Sequence, residues 1–185
     1  MNLGELVRDL AYFNPGWSPS DINQRCRLLR EARLLPHAGR GRTAPRISPA
    51  DAAVLVIGMA AAERTIGIVD TTRRYLGLVC VGSPAGPVSG SLAEAMAAFI
   101  ADPALLEPVR RIVINRAWPA AEIVYRKGKK GKKVATDRFE TADTTPGPSR
   151  HNLLRIECAI DPRLLGEIGG HMGGLVDVRW VGDPA

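Results

Sequence analysis

The run SPSDINQRCRLLREARLLP, residues 18–36, decides how the N-terminal half is read. Ser18 or Ser20 can cap a helix here, with Pro19 and Asp21 in the first turn. A proline needs no amide partner at that position, and a carboxylate meets the positive end of the helix. The helix is expected to reach about Arg33. Ile22, Cys26, Leu29 and Ala32 recur at helical spacing as an inward stripe. That leaves Asn23, Gln24, Arg27, Arg30 and Arg33 broadly on the other side.

On the N-terminal side, Leu3, Leu6, Val7 and Leu10 predict a first helix over residues 3–12 that stops at Asn14-Pro15-Gly16. On the C-terminal side, residues 37–46 combine Gly39 and Gly41 with Arg40, Arg42 and Arg46. A short basic loop or hairpin wing is expected there. Ser48-Pro49-Ala50-Asp51 is a second strong start signal. Residues 52–62 after it are small and apolar almost all round, which suits a central helix or a self-association surface. A further helix is expected over residues 66–78.

Composition changes at Gly82-Ser83-Pro84-Ala85-Gly86-Pro87, the best candidate for a domain boundary. Ser91 and Glu94 fit a capping box before a helix over residues 92–100, and Pro103 suits the start of a short one. From Arg111 the period shortens: Ile112, Val113 and Ile114 favour a strand, and Pro119 calls for a bulge or edge before residues 121–125 resume it. Further strands are expected over residues 153–160 and 175–181, with a helix over 162–171 between them. The expected fold is therefore α+β. A helical unit over residues 1–78 and a linker over 79–91 precede a small α+β domain over 92–185, with a mobile basic loop at 127–150.

Charge is unevenly distributed. The formal net charge is +6; residues 1–50 hold eight arginines against four acids, and residues 101–133 hold nine basic residues against three acids. Such asymmetry suits a polyanionic partner. All five lysines, Lys127, Lys129, Lys130, Lys132 and Lys133, lie in one glycine-punctuated run. This run can add sequence-independent, salt-sensitive contact to nucleic acid, or simply form a solvated connection. Trp118 and Tyr125 flank it and fit sheet positions better than base-stacking ones.

Little points to catalysis. The lysine run lacks the glycine spacing and terminal Ser/Thr of a phosphate loop, and Asp51, Asp70 and Glu94 fall in different elements. Cys26, Cys80 and Cys158 form no Cys-x-x-Cys pair, and His37, His151 and His171 have no metal-ligand spacing. No enzyme activity, cofactor or metal is expected. Residues 52–62, the longest apolar stretch, fall well short of the roughly 20 residues needed to cross a bilayer, and the N-terminus lacks a signal-peptide pattern. A cytoplasmic protein without a membrane partner is expected.

An α-helix fits the major groove, where Asn and Gln pair with adenine edges and Arg with guanine edges. Asn23, Gln24 and Arg27 are therefore candidates for base readout from duplex DNA. Arg30, Arg33, Arg40, Arg42 and Arg46 are candidates for holding the backbone. The alternative is a solvated helix face whose arginines pair with Asp21 or Glu31. With the phrase LREARLLP leading into a glycine and arginine loop, the chain resembles small phage and prophage winged helix-turn-helix proteins over residues 3–62. The resemblance implies a recognition helix at residues 21–33, a wing at 37–46 and a role in transcription regulation. Residues 14–19 leave little room for the separate helix that normally precedes the recognition helix. In size and order the chain also resembles small terminase subunits, which implies DNA packaging with an assembly region at residues 52–78. A non-catalytic interaction module is a third reading.

Overall fold

The computed structural model describes residues 1–14, 16–37, 46–87, 90–127, 133–142 and 156–173. The fold is α+β. Helices α1 (Leu3–Phe13), α2 (Pro19–Glu31), α3 (Pro49–Ala61) and α4 (Ile68–Leu76) come first, then β1 (Leu78–Val81), α5 (Leu92–Ala101), β2 (Val109–Asn115), β3 (Ala120–Lys127), β4 (Lys133–Thr141), β5 (Glu157–Ile160) and α6 (Pro162–Gly173). Short 3-10 turns at Thr65–Gly67 and Pro103–Leu106 lead out of α3 and α5. The five strands form one antiparallel sheet in the order β1-β4-β3-β2-β5.

Local chemistry sets the helix starts where the side chains indicate. Ser48 and Asp51 cap each other's backbone amides at the start of α3, and Ser91 and Glu94 do the same for α5. The two hydrogen bonds from Ser91 hold the Glu94 carboxyl below its ordinary value. Helix α3 is buried on nearly every side, from Ala52 to Ala62 with Val54 half-buried. Its apolar surface is used within one chain, packed on α4 and α5 and against β2 and β5. The self-association surface considered for residues 52–62 is therefore already occupied by the protein's own core.

Strand parity divides the sheet. Leu78, Ile112, Ile114, Ala121, Ile123, Tyr125, Phe139 and Ile160 join the helices in one continuous core. Residues of the other parity include the Glu122 and Arg138 ion pair. The boundary expected at residues 79–91 runs through β1, which pairs with β4. The loop that follows is tied back to the same sheet: the buried Asp137 carboxylate of β4 accepts hydrogen bonds from the Ala85 and Gly86 amides. A Cβ on Gly86 would stand 2.1 Å from the Tyr125 ring, so the loop backbone sits directly on that side chain.

Three expectations need correction. Residues 66–78 are not one helix, because Gly77 closes α4 and Leu78 opens β1. The span 127–150 is not wholly a mobile loop. Residues 133–141 form β4, where Val134, Thr136 and Thr141 suit a strand and Asp137 and Phe139 turn inward. Pro119 interrupts no strand; it lies in the turn between β2 and β3. There the Tyr75 hydroxyl of α4 donates to the Asn115 and Trp118 carbonyls, and burial pushes its pKa up to about 12. Of the strand expected over 153–160, Glu157–Ile160 is a strand and residues 153–155 lie outside the described residues, as does the span 175–181.

The end of α2 holds one local conflict. The Leu34 amide donates to the Leu29 carbonyl (2.8 Å) and the Arg33 amide to the Arg30 carbonyl (2.9 Å), the two bonds of a Schellman cap. That cap puts its first non-helical residue in the left-handed region, where Arg33 has φ 59°. A side chain at such a φ costs about 1 kcal/mol or more, which glycine avoids. Arg33→Gly is accordingly expected to raise the unfolding free energy by about 0.5 kcal/mol, net of the larger unfolded-state entropy of glycine. Urea titration of the two proteins checks this; a loss of stability would show that the arginine side chain makes a contact outweighing its strain.

Candidate nucleic-acid interface

Ser18 caps α2 by accepting from the Asp21 amide (3.1 Å), and Pro19 occupies its first turn. Ile22, Cys26 and Leu29 are fully buried. At about 100° per residue, Arg25 falls within the same arc as these three. Its side chain is only 8% exposed. The guanidinium donates through Nη1 to the Ala62 carbonyl (2.7 Å) and through Nη2 to the Glu63 carbonyl (3.2 Å), while Nε lies 2.9 Å from the Asp21 carboxylate. Thr65 Oγ1 donates to the other Asp21 oxygen at 2.6 Å. One buried cation thus fastens α2 to the carbonyls that end α3, a favourable place for positive charge.

Fixing Arg25 inward fixes what faces outward. Asn23, Gln24 and Arg27 are exposed. Asn23 and Arg27 are four residues apart and lie about 40° apart around the axis, on nearly one line. Arg27 Nε is 3.4 Å from Glu31, with both side chains more than 60% exposed, so this pair adds little and yields readily to another partner. Arg30 is half-buried and its Nε turns back to the Cys26 carbonyl (3.3 Å). Ala32, expected on the inward stripe, is the half-buried C-cap.

Arg33 is exposed but stands beyond the helix in the left-handed cap. Arg46 is exposed and bridges Asn2 in antiparallel fashion, while the Ile47 amide donates to the Met1 carbonyl (3.1 Å). The N-terminus therefore anchors the far end of the expected wing. Arg40 and Arg42 of that wing, and Lys129, Lys130 and Lys132 of the lysine run, lie outside the described residues. Lys127 and Lys133 are exposed and face each other as partners on β3 and β4. Tyr125 is buried in the sheet core and Trp118 half-buried in a turn. The phenol of Tyr125 is held protonated, chiefly by burial and then by Asp137.

Helix α1 ends five residues before α2 begins, and the Trp17 amide donates to the Asn14 carbonyl (2.8 Å) in the turn between them. The helix that precedes α2 in the chain is α1. Burial pushes the Cys26 thiol up to about 11 despite the nearby Arg30, which leaves it protonated and unreactive near neutral pH. Among the described residues no group of three His, Cys, Asp or Glu side chains could hold a metal ion, and no helix is long and apolar enough to cross a membrane.

The residue that sequence reasoning missed is Arg25. Its spacing from Ile22 and Leu29 was the available signal, and the general rule that arginines face solvent hid it. No protein-family model matches the chain, and no curated protein or solved structure is significantly similar to it.

Proposed function

We propose that the protein binds duplex DNA through α2 and acts as a cytoplasmic transcriptional regulator of phage or mobile-element type, by binding and without a catalytic step. The observation that carries this reading is the polar face of Asn23, Gln24 and Arg27, exposed on a helix whose opposite face is locked by the buried Arg25. A rigidly held helix presents base-reading groups with little ordering cost on binding. With its 13 residues α2 is about 20 Å long, and the major groove it would enter is about 12 Å wide. Arg33 and Arg46, with Arg40 and Arg42 of the wing, supply phosphate contacts in this reading. The resemblance to winged helix-turn-helix proteins supports it. The regulatory role is preferred over DNA packaging because residues 52–62, the apolar part of the 52–78 assembly region in the packaging reading, are used inside the monomer.

Selection from random duplexes by the full chain is expected to enrich a defined sequence. Asn23→Ala and Arg27→Ala should then each reduce discrimination between selected and scrambled duplexes by about 1 to 3 kcal/mol. Arg40→Ala with Arg42→Ala should weaken both duplexes alike and flatten the slope of log affinity against log salt by about 2. Binding without enrichment, together with ring-like assemblies by mass measurement, would favour packaging. Absence of duplex binding at low salt would overturn the proposal.

A further inference from the structure

A second concentration of positive charge lies where β2 begins, β3 ends and β4 begins. Arg111 pairs with Val124, and the register slips by one residue between Val109 and Arg111, so that Arg110 is the extra residue of a bulge. A bulge re-aims its side chains; here Arg110 and Arg111 are consecutive and both exposed. Next to them the Arg126 amide donates to the Pro108 carbonyl at 2.7 Å, bringing the end of β3 alongside the start of β2. Arg126 pairs in turn with Val134, and Lys127 with Lys133. All five basic residues are exposed. No carboxylate of the described residues is within ion-pair distance of any of them.

Two features make this more than a solvated face. Lys127 and Lys133 are directly cross-strand, an arrangement in which like charges destabilise the sheet. Among the described residues no acid relieves them, although Glu122 and Arg138 are paired further along the same two strands. The second feature is scale. Three strands about 4.8 Å apart span about 10 Å, a length over which duplex DNA carries about six backbone charges.

We infer that this end of the sheet, formed by Arg110, Arg111, Arg126, Lys127 and Lys133, is a second nucleic-acid surface that grips the phosphate backbone independently of base sequence. It rests on the part of the reading above that makes nucleic acid the partner, and it does not depend on α2 reading bases. An anionic membrane is the less suitable occupant. Interfacial anchoring draws on large apolar side chains beside the basic ones, and the exposed large hydrophobic residue on these strand ends is Val134 alone among the described residues.

The test uses the full chain, a random-sequence duplex of about 30 base pairs and vesicles containing phosphatidylserine. Arg110→Gln, Arg111→Gln and Arg126→Gln combined should lower duplex affinity at least about tenfold at low salt and flatten the log-log salt slope by up to about 3. Arg126→Gln alone should flatten it by about 1. Discrimination between selected and scrambled duplexes should stay unchanged, as should the unfolding midpoint, since all three side chains are exposed. Bound duplex should also protect Lys127 and Lys133 from acetylation. Duplex binding with an unchanged slope in both variants would overturn this surface and leave the α2 reading standing. Loss of the α2 discrimination effect with the slope change intact would do the reverse. No duplex binding by the unmodified chain would sink both, and so would binding to the vesicles in its place.

Discussion

Arg25→Met is expected to remove about 3 kcal/mol of unfolding free energy, a large fraction of what a domain of this size possesses. Methionine keeps much of the side-chain volume, so the loss isolates the guanidinium and not a cavity. Two acceptors, the Ala62 and Glu63 carbonyls, lose their donor, and the Asp21 carboxylate loses the cation 2.9 Å from it. Breaking a buried pair by removing one partner costs roughly 3 to 5 kcal/mol because the other is left uncompensated. The low end applies here, since the Asp21 side chain is 33% exposed and stays partly hydrated, with Thr65 still donating to it. Arg25→Lys should recover only part of the loss, because an ammonium cannot reproduce the fork that reaches two successive carbonyls and a carboxylate. Urea unfolding gives the energies, and hydrogen exchange should show α2 amides losing protection before those of α3. A loss below about 1 kcal/mol for Arg25→Met would mean that α2 is held by its apolar stripe alone. The variant also bears on function without touching the exposed face: a loosened α2 should lose duplex discrimination while keeping salt-dependent affinity.

Local signals were the legible ones. Ser91 with Glu94 forms the reciprocal cap its spacing indicates, and Ser48 caps α3 as expected, with Asp51 of the first turn adding the return bond. The exposed face of α2 was readable for the same reason, since Asn23 and Arg27 follow from helical period alone. What escaped depends on partners far along the chain. Leu78–Val81 completes an apolar spacing that continues α4, yet it is a strand because β4 offers it a pairing edge about 60 residues later. Strand β4 was itself masked by its charge, since Lys133 opens it and the first of its two buried period-2 residues, Asp137 and Phe139, is an acid. Asp137 reads as a solvated acid until the loop at Ala85 and Gly86 closes over it with two amide donors. In the candidate site the same division holds. Exposure was legible and the buried guanidinium that enforces it was not, because the carbonyls that accept from Arg25 lie 37 and 38 residues away.

The neighbouring glycines of α6 should respond oppositely to the same substitution. A Cβ on Gly169 would lie 2.3 Å from the Ile100 carbonyl oxygen and 3.0 Å from the Pro103 ring. Backbone cannot rotate aside as a flexible side chain can, so α6 would have to withdraw about 1 Å from α5 to reach ordinary contact. That displacement disturbs the packing of the fully buried Leu165 and Ile168 of α6. Overpacking of this kind costs about 3 kcal/mol, while alanine gains about 1 kcal/mol over glycine in helix propensity. The steric term wins, and Gly169→Ala should destabilise the protein by about 2 kcal/mol. Among the described residues nothing lies within 4 Å of the Gly170 Cβ position, so only the propensity term remains. Gly170→Ala should therefore stabilise by about 0.5 to 1 kcal/mol. Chemical denaturation of the two variants side by side is decisive, because they share composition, charge and helix. Shifts of the same sign would show that α5 and α6 do not meet at Gly169 in the way the carbonyl contact requires, whereas opposite signs follow directly from one position being filled by backbone and the next being open.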